Sequence, residues 1–273
     1  MRLVELSDHP GALLRDIRRD RGADSRRAQA RYTREVADRE MRLARARTRR
    51  DEARASHRWL AWIRAVFATW AQRRKVPRAT IPSSLPTAQE ESIAAGRAGE
   101  QLVATELGAV LSDDWVLFRG YRNARGEIDH LLAGPRGVFA VEVKYHNATV
   151  YISGDDWQFD KFDRWGNRVE HGRIEDRTGR SPSVQLNEPA DQLEKFLRSR
   201  GQQVRITRIV ILNHPRSRIG GQRGATVRVA TSSRHIIDLV RQSRLELSDG
   251  QVMQIASLIE RDHRFHDGRR RPR

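Results

Sequence analysis

Gly126 to Lys144 reads GEIDHLLAGPRGVFAVEVK, and the rest of the chain is best read outward from it. It holds two apolar runs, Ile128 to Ala133 and Val138 to Val143, separated by Gly134-Pro135-Arg136-Gly137. A Gly/Pro cluster between β-type runs predicts a hairpin. Asp129 interrupts the first run, and Glu142 interrupts the second just before Lys144. A strand alternates faces with period 2, so Glu142 and Lys144 point to one side and Val141 and Val143 to the other. Charges within such runs need a reason, because burying either sign alone is costly.

An ion pair in an ordinary hairpin would account for Glu142 and Lys144 alone. Asp129 one strand earlier adds a second carboxylate, and two converging carboxylates suit Mg²⁺ or Mn²⁺, which prefer oxygen ligands. Such an ion polarises a phosphoryl oxygen and activates water. A neighbouring ammonium orients that water or stabilises transition-state charge. Composition supports a special role for the lysine. The chain has 4 Lys against 48 Arg, so a Lys at 144 points to a need for an ammonium rather than a guanidinium.

The spacing Asp-x₁₂-Glu-x-Lys across a hairpin resembles the PD-(D/E)xK nucleases. The surrounding GEID…GPxGVFAVEVK most resembles their nuclease-related domain (NERD) branch, over about residues 92 to 215. The resemblance implies an α/β, restriction-endonuclease-like mixed sheet flanked by helices. It implies a Mg²⁺-dependent (or Mn²⁺-dependent) phosphodiesterase acting on DNA. Asp129, Glu142 and the Val143 carbonyl would hold the metal, and Lys144 would serve the transition state. Gly96-x-x-Gly99-Glu100 resembles the family's G-x-x-G-E, which assigns Glu100 to the metal shell. Pro189-x-x-Gln192 resembles its P-x-x-Q, which makes Gln192 a candidate for positioning water or phosphate. Ser153-Gly154 and Trp157 are similar to a Gly/Trp feature of the family, whereas Tyr145-His146 departs from its Asn-aromatic pair. The alternative reading is a nucleic-acid- or membrane-associated binding protein with a catalytically silent nuclease fold.

The totals bound the partners. At 273 residues there is room for one ordinary domain plus an extension. The absence of Cys excludes Cys-based zinc sites and a disulfide framework. Met1 to Leu14 lacks the continuous apolar core of a signal peptide, and no run reaches spanning length, so a cytoplasmic protein is expected, peripheral at a membrane at most. A net charge of +17 points first to nucleic acid and second to anionic membrane.

Residues 1–75 read as a basic helical extension. Gly22 to Arg58 is rich in Arg, Ala and Glu, with only a thin apolar stripe at Tyr32, Val36, Met41 and Leu43. A long solvated helix is expected, with local charge pairs such as Glu35 and Arg39. His57 to Arg74 places Trp59, Trp62, Ile63, Val66, Phe67 and Trp70 at helical spacing. Two readings stand for it: an interfacial helix on anionic lipid, or packing on the nuclease-like domain or on a second copy. Residues 76–90 read as a Pro/Ser linker, 91–262 as the nuclease-like domain, and 263–273 as a basic disordered tail.

Within the domain, Ala88 to Leu111 is expected as the first helix and Trp115 to Tyr121 as a strand. Thr149 to Ile152 should follow as a further strand. Asp155 to Ser181 interleaves Trp157, Phe159, Phe162 and Trp165 with basic residues. It suits either base stacking or a twisted hairpin packed on the sheet. Asn187 to Arg200 is expected as a helix with Pro189 in its first turn. Val204 to Leu212 should be a central strand and Ala225 to Val229 a shorter one, with an Arg/Gly loop from His214 to Arg223 between them. Two helices, Ser232 to Arg241 and Ser248 to Arg261, should close the domain.

Overall fold

The computed structural model describes residues 1–74 and 85–268. The chain forms two compact units, one of residues 1–12 with 91–273 and one of residues 13–90. In order the elements are β1 (Arg2–Glu5), α1 (His9–Ala55), α2 (Trp59–Arg74), α3 (Ala88–Val110), β2 (Val116–Arg122), β3 (Glu127–Gly134), β4 (Gly137–Lys144) and β5 (Thr149–Ser153). Then come β6 (Asp156–Phe162), β7 (Arg168–Arg173), α4 (Pro182–Ser199), β8 (Ile206–Leu212), β9 (Arg218–Arg223), β10 (Arg228–Ala230), α5 (Ser233–Gln242) and α6 (Asp249–Gly268).

The larger unit is a mixed α/β fold, consistent with a nuclease-like fold. Its main sheet has the order β1-β2-β3-β4-β8-β10. β2, β3 and β4 run antiparallel in sequence, while β8 lies parallel to β4 and β10 parallel to β8. The expected hairpin forms with Gly134 opposite Gly137, so Pro135-Arg136 is its two-residue turn. One sheet face carries Leu132, Phe139, Val141 and Val143 against Val103 and Leu107 of α3 and Ile236 of α5. The other carries Leu131, Val138 and Ala140 against Leu186, Leu193 and Leu197 of α4 and Ile255 of α6. Each fully buried Leu or Ile contributes on the order of 2 kcal/mol. A second sheet, β7-β6-β5-β9, sends Val150, Ile152 and Trp157 into the same core.

Several boundaries differ from the sequence expectation. Residues 2–5 are not part of a helical extension but an edge strand, parallel to β2. α1 starts at His9 rather than Gly22, with Asp8 Oδ1 accepting the Gly11 N–H (2.9 Å) as an N-cap. α4 starts at Pro182, so Pro189 lies inside the helix rather than in its first turn. Pro182 stands at the helix start, where its missing N–H costs nothing. Arg218–Arg223, expected as loop, is a strand on the edge of the second sheet. α6 extends to Gly268, so residues 263–268 of the expected tail are helical. Most of the expected linker, and the last five residues of the tail, lie outside the described residues.

In the smaller unit, α1 ends in a Schellman turn. His57 takes φ +55°, Arg58 N–H donates to the Ala53 carbonyl (3.0 Å) and His57 N–H to the Arg54 carbonyl (3.2 Å). Thr87 and Glu90 cap α3 reciprocally: Thr87 N–H donates to Glu90 Oε2 (2.8 Å) and Glu90 N–H to Thr87 Oγ1 (3.2 Å). Arg21 also donates to that Glu90 carboxylate (2.5 Å).

β1 is held where β2 turns at Gly120. That residue has φ +67°, and a Cβ there would lie 2.3 Å from the Ser7 carbonyl oxygen. Gly120→Ala should therefore cost about 2–4 kcal/mol, from backbone strain plus the clash. Urea denaturation measures this; a cost under about 0.5 kcal/mol would mean that the segment after β1 does not dock there.

Candidate active site

The ladder between β3 and β4 reaches His130 opposite Val141 and is not continued toward Asp129. Instead the Val143 N–H donates to Asp129 Oδ2 (2.7 Å). In an extended strand the N–H and C=O of one residue point the same way, so the Val143 carbonyl opens into the same gap. Glu142 and Lys144 share a face, as period 2 requires, and Lys144 Nζ donates to Glu142 Oε1 (2.7 Å). On its other side Nζ donates to Gln185 Oε1 of α4 (2.8 Å). Gln185 Nε2 in turn donates to the Arg180 carbonyl (2.6 Å), which fixes its oxygen toward the lysine.

Glu100 enters from α3. Gly99 lets that helix approach: a Cβ there would lie 2.9 Å from the Tyr145 ring. Asn213, just past β8, donates from Nδ2 to the Gly99 carbonyl (2.9 Å) and from its N–H to the Lys144 carbonyl (2.9 Å). One buried residue, through its backbone N–H and its side chain, thus joins the ends of β4 and β8 to the turn of α3 that carries Glu100. Gly96 has open space around it and carries no such constraint.

The electrostatics follow from this convergence. Burial, with Glu142, Glu127 and Asp8 nearby, pushes the Glu100 carboxyl up to about 7 against the pull of Arg119. Burial first, then Glu142 and Glu100, holds Asp129 well above the usual carboxylate range. Burial works against the Lys144 ammonium, but Glu142 and Asp129 outweigh it and raise its pKa. His130 turns to the opposite face from Asp129, and burial followed by Arg119 pushes it down to about 3, so it stays neutral. His146 is also lowered, by burial and then by Lys144. Its ring stacks on Phe159 at 6.3 Å.

The chemistry of this donor set fits a hard divalent cation. It offers carboxylate and carbonyl oxygens only, and the acids already repel one another. Among the described residues no group of three or more His, Cys, Asp and Glu side chains stands close enough together to hold a metal ion. Glu142 Oε1 is committed to Lys144, and Asp129 Oδ2 to the backbone. Asp129, Glu142 and the Val143 carbonyl are the groups that would hold an ion, and Glu100 is the further carboxylate that the family resemblance assigns to it.

Lys144 donates its hydrogen bond to Gln185, not to Gln192, which lies seven residues further along α4. The spacing P-x-x-Q occurs twice, at Pro182/Gln185 and at Pro189/Gln192, and the first of the two lies against Lys144. Asn213 had no sequence signal, because its role depends on three distant elements meeting. In the aromatic stretch Trp157 is buried, its Nε1 donating to Ser183 Oγ (3.1 Å). Trp165 is 71% exposed with the Arg164 guanidinium 4.0 Å over its ring.

The central hairpin of the mixed sheet thus carries two carboxylates and a lysine. Residues 95–213 match the family described as the nuclease-related domain. No curated protein and no solved structure matches the chain.

Because the folded Glu100 pKa lies above its ordinary 4.5, the folded state binds more protons between pH 4.5 and 7. Stability from this group is then present below pH 4.5 and lost as pH rises through about 7. Metal-free wild type should lose on the order of 2 kcal/mol more than Glu100→Gln between pH 5 and pH 8. Denaturant melts at the two pH values test this, and parallel pH profiles for the two proteins would refute it.

Proposed function

We propose that the protein is a metal-dependent nuclease that hydrolyses DNA phosphodiesters. The observation that carries this reading is Lys144, held between Glu142 and Gln185 beside a second strand's Asp129. A lysine serving only as an ion-pair partner has no use for a glutamine whose amide is itself held in place. Bound Mg²⁺ or Mn²⁺ would supply Lewis acidity toward a phosphoryl oxygen and lower the pKa of water. Asp129, Glu142, the Val143 carbonyl and Glu100 are the groups that would hold it.

The chain's own residues then have distinct tasks. Lys144 stays protonated in the field of two carboxylates, so it meets an incoming phosphate as a cation and stabilises the extra charge of the pentavalent state. Gln185 keeps Nζ from collapsing wholly onto Glu142. Asn213 and Gly99 set the distance of Glu100 from the strand ends. The exposed pair Arg164 and Trp165 offers a cation and a stacking face to nucleic acid.

The experiment is a plasmid-nicking assay with Mg²⁺ or Mn²⁺. Asp129→Ala and Glu142→Ala should abolish metal-dependent nicking, and Lys144→Ala should slow it about 100-fold or more. Gln185→Ala should slow nicking about tenfold or more, while Gln192→Ala leaves it near wild type. Wild type that cuts no nucleic acid with either metal would overturn the reading in favour of a silent nuclease fold. Nicking that survives both carboxylate substitutions would trace it to a contaminant.

A further inference from the structure

The aromatic helix of the smaller unit is turned inside out relative to an ordinary packed helix. On α2 the buried residue is the small Thr69, with Ala65 half-buried beside it. The large apolar residues face outward: Trp59 and Phe67 are about two-thirds exposed (65% and 66%), Trp70 is 51% exposed, and Leu60, Trp62 and Val66 are exposed with them. Their spacing at three and four residues makes one continuous ridge. A ridge of that size left in water marks a binding surface.

The charge around the ridge says what binds. No Asp or Glu occurs between Glu52 and Glu90, whereas Arg58, Arg64, Arg73 and Arg74 lie along the helix and at both its ends. Arg58 and Arg64 flank a cleft of about 450 Å³ with Trp59, Leu60 and Ala61. Arg74 lies over the Trp70 ring at 3.8 Å, so cation and ring sit at one depth. A second copy pairing through this ridge would bring arginines against arginines with no acid of the helix to neutralise them. A surface that is apolar inside and anionic outside matches both features. Trp favours the headgroup boundary, and Arg meets lipid phosphate there. At 16 residues the helix is too short to cross a bilayer, and no described helix is long and apolar enough to do so.

We infer that α2 docks flat on anionic lipid bilayers, inserting Trp59, Leu60, Phe67 and Trp70 and placing its arginines on headgroup phosphates. This is independent of any activity of the larger unit.

The test is vesicle flotation of the full chain with phosphatidylcholine alone or with 30% phosphatidylserine (~30 mol%, a typical anionic surface). Wild type should partition about tenfold or more better onto the anionic vesicles. Brominated acyl chains should quench its tryptophan fluorescence. Combined Trp59→Ser, Leu60→Ser, Phe67→Ser and Trp70→Ser should abolish flotation and quenching without changing far-ultraviolet dichroism, since these side chains are exposed. Combined Arg58→Gln, Arg64→Gln, Arg73→Gln and Arg74→Gln should reduce binding to the level seen on neutral vesicles. Equal flotation of wild type and the serine variant would overturn the inference. So would a wild type that does not float but forms a dimer dissolved by the serine substitutions, which assigns the ridge to a second copy. Loss of DNA affinity in the serine variant, with no flotation of wild type, would assign it to nucleic acid instead.

Discussion

The ammonium of Lys144, set at the end of an apolar strand, constrains most of what surrounds it. A charge there is tolerable only with partners on every accessible side. Glu142 supplies one from the same strand face, and Gln185 supplies the other from α4. α4 must therefore begin early enough to bring Gln185 over the strand end, and it does so at Pro182. Pro189, four residues after Gln185, has no N–H to give the Gln185 carbonyl, so the helix is weakened where it bears on the site. Asn123, just past β2, donates to the Pro189 carbonyl (2.9 Å) and ties that strand end to the same turn.

The acidic side of the site is organised by a complementary shortage. Where β3 and β4 part, a backbone N–H would lack a partner, and Asp129 fills that role with a side chain. The carboxylate is thereby oriented before any ligand arrives. Glu100, Asp129 and Glu142 stand in one another's fields, and burial first, then this repulsion, raises the carboxyl pKa values of Glu100 and Asp129.

What was legible in the sequence was local. The hairpin, its turn and the shared face of Glu142 and Lys144 follow from period 2 and a Gly/Pro signal within nineteen residues. The cores of α3 and β8 follow from apolar spacing. β1 was illegible because four residues hold too little pattern and their partner lies far along the chain. β9 reads RIGGQR, with little β propensity, and is a strand because β5 offers it an edge. The glutamine that meets Lys144 was not legible, because one motif fits two positions seven apart and only packing decides between them.

The parallel pairing of Arg2–Glu5 with Val116–Arg119 also has a temporal meaning. Arg2 leaves the ribosome more than a hundred residues ahead of Val116. At about 5–20 residues per second, the first strand waits about 5–20 s for the backbone it will join. The 47-residue α1 is complete within that interval, since helices form in about a microsecond once their residues are available. Arg2–Glu5 thus stays without its strand partner through the whole synthesis of α1, and pairs only once β2 has been made.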